Sequence, residues 1–413
     1  MTKRIVVTGM GTVNALGLNV EDSWKNVLKG VSGVGPITSF DTSDLLVHIA
    51  CEAKDFDATN YMEPRHARRA DRFQQFAIAA MEEAAADANL DFDSIDKDRV
   101  AVIISSAIGG IGTIQDSVTT MVQLGPRRIS PFTIPMIMAN GAAGLIAIDR
   151  GLKGPCFSIA SACASGEDAI GQASLLLHSG IVDLAIAGGS EATINRMGIS
   201  TFDRLGALSR RNDDYDSTPS PFDRDRDGLV MGEGAALIVL ETLEHAQQRG
   251  AEVLAELVGY GSTVDAFHIS APAVDGAGAA RAISLALKMA GVEPETVDYI
   301  SAHGTGTELN DVSETRAIKR AFGEVAYDIP VSSTKSMTGH MMGATGVLES
   351  IFCIRAIHEN IVPPTIHLQN PDPECDLDYV PNQARELPVD FAITNAFGFG
   401  GQNSVLAFRS FSG

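Results

Sequence analysis

Short runs of β-branched and apolar residues recur along the chain, each followed by a longer stretch with helical spacing. No other feature limits the fold as strongly. The strand-like runs are Arg4–Thr8, Val100–Ser105, Cys156–Ala160 and Asp183–Ala187, then Leu254–Tyr260, Val297–Ala302, Ile329–Ser333 and Phe391–Thr394. Between them lie helical patterns such as Ala70–Ala88, Glu167–Leu177, Gly278–Ala290, Val312–Phe322 and Gly346–His358. Such alternation predicts an α/β fold with parallel sheets covered by helices, and strands apolar throughout read as buried on both faces. The two halves also echo each other. Phe157–Gly166 runs through small residues into a helix and is followed by Asp183–Gly189; Val331–Lys335 leads through Gly339–Gly346 into a helix and is followed by Asp390–Asn395. We read a duplicated module, residues 1–250 and 251–413. At about 150 residues per domain, a chain of 413 suits two or three units.

Composition removes several classes of function. With 31 Lys and Arg against 52 Asp and Glu the net charge is −21, so a nucleic-acid partner is not expected. The apolar run near the N-terminus, Ile5–Val7, is too short for a signal-peptide core, and no stretch approaches the roughly twenty residues of a membrane span. A cytoplasmic protein is expected, with no membrane partner. The five cysteines (Cys51, Cys156, Cys163, Cys353, Cys375) are odd in number and scattered without a C-x-x-C, which argues against a disulfide framework and a zinc centre.

Three residues stand where chemistry is expected. Cys163 lies between a strand and a helix among small neighbours, where the positive end of a helix dipole would favour a thiolate. A buried structural cysteine is the alternative reading. His303, in Ala302-His-Gly-Thr-Gly-Thr307, follows a strand, and His340, in Gly339-His-Met-Met-Gly343, precedes a helix; open α/β sheets place sites at such strand ends. Lys335 closes an apolar strand, and Glu349 on the next helix is its candidate counter-charge. Two tempting motifs fail. Asp223-Arg-Asp-Arg-Asp-Gly228 lacks the Glu that a calcium loop needs at its twelfth position, so it is expected to be a structural turn. Gly9-Met-Gly-Thr-Val-Asn14 lacks the third glycine of a dinucleotide fingerprint. Arg65, Arg68, Arg69 and Arg72, with Arg127 and Arg128, form a basic cluster in an acidic chain, suited to an acidic partner.

Ala162-Cys-Ala-Ser-Gly166, Ala302-His-Gly-Thr-Gly-Thr307, Lys335…Gly339-His340, Pro221-Phe-Asp…Gly232-Glu-Gly234 and Asn395-Ala-Phe-Gly-Phe-Gly-Gly401 together resemble the β-ketoacyl synthases of the thiolase superfamily, over nearly the whole chain. The resemblance implies a thiolase-like five-layer α-β-α-β-α fold from two duplicated halves, and a homodimer. It implies a Cys163-His303-His340 triad with Lys335 as supporting charge. Cys163 would take an acyl group from acyl-carrier protein and pass it, by decarboxylative condensation, to a malonyl unit on the same carrier, as in fatty-acid elongation. The backbone N–H groups of Cys163 and Phe399 would form the oxyanion hole. The resemblance further assigns Ile108, Phe202 and Phe399 to the acyl pocket and its gate, and Ser270, Thr305 and Thr307 to the phosphopantetheine arm. Arg65, Arg68, Arg69, Arg127 and Arg128 would dock the carrier protein. Ser270 stands where the family often has Thr, and Gln402 replaces the commoner Thr of the last loop. No cofactor is expected beyond the 4'-phosphopantetheine that arrives on the carrier, and no catalytic metal. Some relatives hold a structural monovalent cation near Ser301, Glu349 and Asn395, which the resemblance allows here. A ketosynthase of a type II polyketide or other specialised pathway is the alternative within the same chemistry; a non-catalytic acyl-binding scaffold is the alternative outside it.

Overall fold

A computed structural model describes residues 3–413. Ten strands make its main sheet: β1 (Ile5–Val13), β2 (Val100–Ser105), β3 (Cys156–Phe157), β4 (Leu184–Glu191), β5 (Gly234–Thr242), β6 (Ala255–Val264), β7 (Tyr299–Ser301), β8 (Val331–Ser332), β9 (Phe391–Gly398) and β10 (Gln402–Arg409). Their spatial order is β8-β7-β9-β10-β6-β1-β5-β4-β2-β3. The first five strands therefore lie in the order third, second, fourth, fifth, first, and the last five repeat it. This internal repeat is the fold's main fact.

The expectation of parallel sheets holds only at the outer ends. β2 runs parallel to β3 and β4, and β7 parallel to β8 and β9. Towards the middle every pairing is antiparallel: β4 with β5, β5 with β1, β1 with β6, β6 with β10, β10 with β9. β10 follows β9 through residues 399–401 alone, too short for the crossover that parallel pairing needs.

Within the sheet the halves pair at two positions, Val6 with Glu256 and Val7 with Ala255. Strand edges beyond these pairs need partners for their N–H groups. Helix α1 (Arg72–Asp87) supplies them to β1: Asp87 Oδ2 accepts from Met10 N at 2.8 Å and Glu83 Oε2 from Thr12 N at 2.8 Å.

Five helices complete the layers. α1 covers the outer face of the first half-sheet. α2 (Ser165–His178) and α5 (Thr345–Glu359) fill the space between the half-sheets, and α3 (Ala277–Ala290) and α4 (Glu308–Phe322) cover the outer face of the second. Along β2 alternate residues serve different cores. Ala101 and Ile103 face the middle layer with Ile170 and Val347; Val102 and Ile104 face α1 with Phe76 and Met81. A strand wet on neither face must be apolar at every position, which is why these runs show no polar alternation.

Gly9 and Gly11 gain their meaning here. A Cβ on them would lie 2.4 Å and 2.1 Å from the carbonyl oxygens of Ala84 and Ala80 in α1. On β6, Gly259 and Gly261 stand equally close to Ala286 and Ala282 of α3, at 2.3 and 2.0 Å. The G-x-G pair is a helix-packing device used once in each half. Asp223–Gly228 is the structural turn expected: Asp223 accepts backbone N–H groups of Gln369 and Asn370, and buried Arg226 reaches Asp372 at 2.7 Å. Among the described residues no helix is long and apolar enough to cross a membrane.

Candidate active site

Cys163 sits in the tight turn Ala162–Ala164 that feeds α2. Ala162 adopts φ +50°, a left-handed conformation that costs about 1–3 kcal/mol for a non-glycine residue and throws the next side chain out of the strand's course. The second half repeats the device. Met342, at φ +44°, opens the turn Met342–Ala344, which feeds α5. Gly343 occupies the place of Cys163 and serves packing. Its N–H donates to Glu191 Oε2 at 3.1 Å, and Cβ atoms added at Gly166 and Gly189 would lie 2.4 and 2.3 Å from its carbonyl oxygen. The twin turns are thus pressed together, one with sulfur and one without.

Both histidines come from the second half. His303 leaves the end of β7, and the Glu314 carboxylate of α4 fixes its backbone by accepting the N–H groups of His303 and Gly304, each at 2.7 Å. His340 is pinned by its own N–H to Val230 O at 2.8 Å, and its Nδ1 lies 3.0 Å from Thr345 Oγ1. The two rings meet edge to face, 5.3 Å between centroids. The Cys163 sulfur and one nitrogen of each imidazole all lie within 4.8 Å of one another.

Burial, with Lys335 adding to it, holds both imidazoles well below the usual histidine range, so they are neutral. Burial also pushes the Cys163 thiol up to about 11, although Lys335 and the N–H of Phe399 pull it down. This corrects the expectation of a dipole-stabilised thiolate. Desolvation favours the protonated sulfur in the free site, beside two imidazoles.

Lys335 lies beneath the triad, fully buried, with its ammonium 2.7 and 2.9 Å from the two Glu349 oxygens. Glu349 is the counter-charge expected, although burial still pushes its carboxyl up to about 7. Glu167, four residues beyond Cys163, is equally buried. Burial and the neighbouring Glu349 drive its carboxyl well above the usual range, which makes it a neutral acid. Its Oε1 accepts from Thr394 Oγ1 at 3.1 Å, while Oε2 has no partner.

The triad opens into a cleft of about 450 Å³. Phe202 and Phe399 face one another across it, 6.4 Å apart, and Ser270, Thr305 and Thr307 line its approach. Thr305 and Thr307 share a hydrogen bond of 2.9 Å. A cleft whose floor holds a thiol, two neutral imidazoles and an inward N–H can form and break a thioester.

The family description "Beta-ketoacyl synthase, N-terminal domain" matches residues 2–246, and "Beta-ketoacyl synthase, C-terminal domain" matches residues 254–369. The chain belongs to the β-ketoacyl synthase family. It is 51% identical over 409 residues to 3-oxoacyl-[acyl-carrier-protein] synthase 2 of Synechocystis, covering 99% of this chain and 98% of that one. It is 48% identical to the Staphylococcus aureus protein of the same name, covering 99% of each. Among solved structures, a β-ketoacyl synthase from Burkholderia phymatum superposes with a TM-score of 0.92 at 36% identity, over 99% of this chain and 100% of that one. A polyketide ketosynthase in complex with its type II acyl-carrier protein does so with the same score and identity, over the whole of both chains.

Other residues of this β-ketoacyl synthase fall less simply. Ile108 does not line the cleft; it is half-buried beyond the end of β2, its N–H 3.4 Å from Glu191 Oε1. Arg65, Arg68, Arg69, Arg127 and Arg128 are all exposed, and none forms an ion pair among the described residues. Arg65 and Arg68 do not share a long helical face, since the helix there spans only Pro64–Ala67. Arg69 stacks on Phe132 at 4.4 Å, which brings it next to the Arg127–Arg128 segment. Arg72 leaves the cluster, because Glu233 holds it at 2.7 Å. Sequence reasoning missed Glu167, Glu191, Glu314 and Thr345. Glu191 ends an otherwise uncharged strand, a signal that something must satisfy it, whereas Glu314 lies in a charged helix and Glu167 beside Asp168, where no local pattern sets them apart.

Proposed function

We propose that the protein is a 3-oxoacyl-[acyl-carrier-protein] synthase that lengthens fatty acyl chains by two carbons. The observation that carries this reading is the convergence of Cys163, His303 and His340 within 4.8 Å at the floor of a cleft. In the first step Cys163 gives its proton to a neighbouring neutral imidazole and attacks the carrier-bound thioester. The acyl group moves to sulfur, and the carrier leaves as its thiol. The N–H groups of Cys163 and Phe399 serve the tetrahedral oxyanion. In the second step malonyl-carrier loses CO2, and the negative charge moves to its thioester oxygen. Imidazole N–H groups of His303 and His340 stabilise that enolate. Its carbon attacks acyl-Cys163, giving the 3-oxoacyl-carrier and returning sulfur as thiolate, which regains a proton.

Cys163→Ala is expected to abolish condensation of acyl- and malonyl-carrier protein. His303→Ala or His340→Ala should slow decarboxylation by about 10²–10³, the usual cost of one oxyanion donor. Condensation by Cys163→Ala at the parent rate would overturn the assignment.

Thr305 and Thr307, with Ser270, suit the polar phosphopantetheine arm, and the five unpaired arginines suit an acidic carrier protein. Ser301 Oγ and Asn395 Oδ1 are buried and unpartnered, and Asn395 Nδ2 donates to Glu314 Oε1 at 3.1 Å. Oxygens of this kind fit a structural monovalent cation, which would offset the surplus carboxylates there. A homodimer is supported by the unpaired outer edge of β3 and by the exposed apolar residues Val118, Met121, Ile134 and Phe157.

A polyketide ketosynthase is the second reading, favoured by relatives such as the ishigamide ketosynthase/chain length factor, at 37% identity and a TM-score of 0.93. A panel of carrier proteins separates the two. Turnover confined to a dedicated carrier would favour the polyketide reading.

A further inference from the structure

The three groups that meet at the cleft floor are also the side chains that bind zinc most readily: one sulfur and two imidazole nitrogens. We propose that the resting, acyl-free site captures one Zn²⁺ through Cys163, His303 and His340, and that this blocks the nucleophile reversibly. The inference goes beyond the condensation reading and does not depend on it.

Geometry carries the argument. The donor atoms lie within 4.8 Å of one another, where a tetrahedral zinc with bonds of about 2.0–2.3 Å requires roughly 3.5 Å. Completing the set requires the rings and the thiol to turn so that the donors close by about 1 Å. His340 Nε2 is buried and has no hydrogen-bond partner, while its Nδ1 is engaged by Thr345 Oγ1 at 3.0 Å. A ligand histidine is held in this way, one nitrogen free and the other oriented by a neighbour. The cleft leaves a route for the ion and room for water at the fourth position. Lys335 would repel a cation, and Glu349 at 2.7 Å offsets part of that charge. Among the described residues this is the only group of three such donors in reach of one another.

The step balances without redox chemistry. Zinc binds the sulfur, the thiol proton leaves to solvent, and the nitrogens donate lone pairs. With sulfur and both imidazoles occupied, neither acyl transfer nor enolate stabilisation can proceed.

The test uses the full-length protein in its reduced, acyl-free form. Iodoacetamide labelling of each cysteine is followed by mass spectrometry, with and without one equivalent of zinc chloride. Cys163 should be protected by about tenfold or more, and EDTA should restore the rate. Cobalt(II) in place of zinc should give a thiolate-to-metal absorption band in the parent protein that Cys163→Ala lacks. Undiminished labelling of Cys163 in saturating zinc, or an equal cobalt band from Cys163→Ala, would overturn the proposal. The labelling measurement needs no variant to fold, and neither readout requires turnover, so failure here leaves the condensation assignment untouched.

Discussion

A thiol at about 11 between two neutral imidazoles has a measurable signature. The folded group lies above the ordinary cysteine value, so little thiolate exists at neutral pH. Alkylation of Cys163 should therefore rise about tenfold per pH unit through the neutral range and level off only near its shifted value. A plateau already reached below pH 8 would mean that the helix end and Lys335 outweigh burial after all. Cys163, His303, His340 and Lys335 were legible in the sequence because each stands at a strand end among glycines and small residues. The protonation state was not legible. It depends on how much water the surrounding half-sheets exclude, and no local spacing encodes that.

The close contact of α2 and α5 is decided by single glycines. A Cβ at Gly166 would lie 2.4 Å from Gly343 O and 2.5 Å from Val347 Cγ2, and a carbonyl cannot yield as a flexible side chain can. Gly166→Ala should cost about 1–3 kcal/mol or more, the usual penalty of overpacking, read as a fall in Tm in thermal unfolding. Retention of the parent Tm would show that the two turns are less tightly engaged. The helices that carry the site are legible from their apolar spacing, and α1 is marked by its Asp71–Gln74 capping box. The antiparallel middle of the sheet was not legible. β5 and β10 are buried along most of their length, and each has an apolar run, Ala235–Leu240 and Val405–Phe408, of a kind shared by parallel and antiparallel strands.

On the scale of the molecule, charge and exposed apolar surface point to two associations. Arg68→Glu with Arg69→Glu should raise the apparent KM for carrier protein at low salt and leave kcat nearly intact, because the substitutions lie outside the cleft. Unchanged kinetics would move the docking face elsewhere. Light scattering should give the mass of two chains. A single-chain mass at micromolar concentration would leave the edge of β3 to another partner. The duplication was visible in the sequence as an echo of turns, and the matched Gly9-x-Gly11 and Gly259-x-Gly261 pairs strengthen it once their helices are seen.

Where the first of the twin turns carries Cys163, the second carries Gly343. A doubled architecture therefore yields a single seat for a growing chain, with the seat on one repeat and the acid–base apparatus on the other. Neither repeat could work by itself, and each chain can carry only one extension at a time.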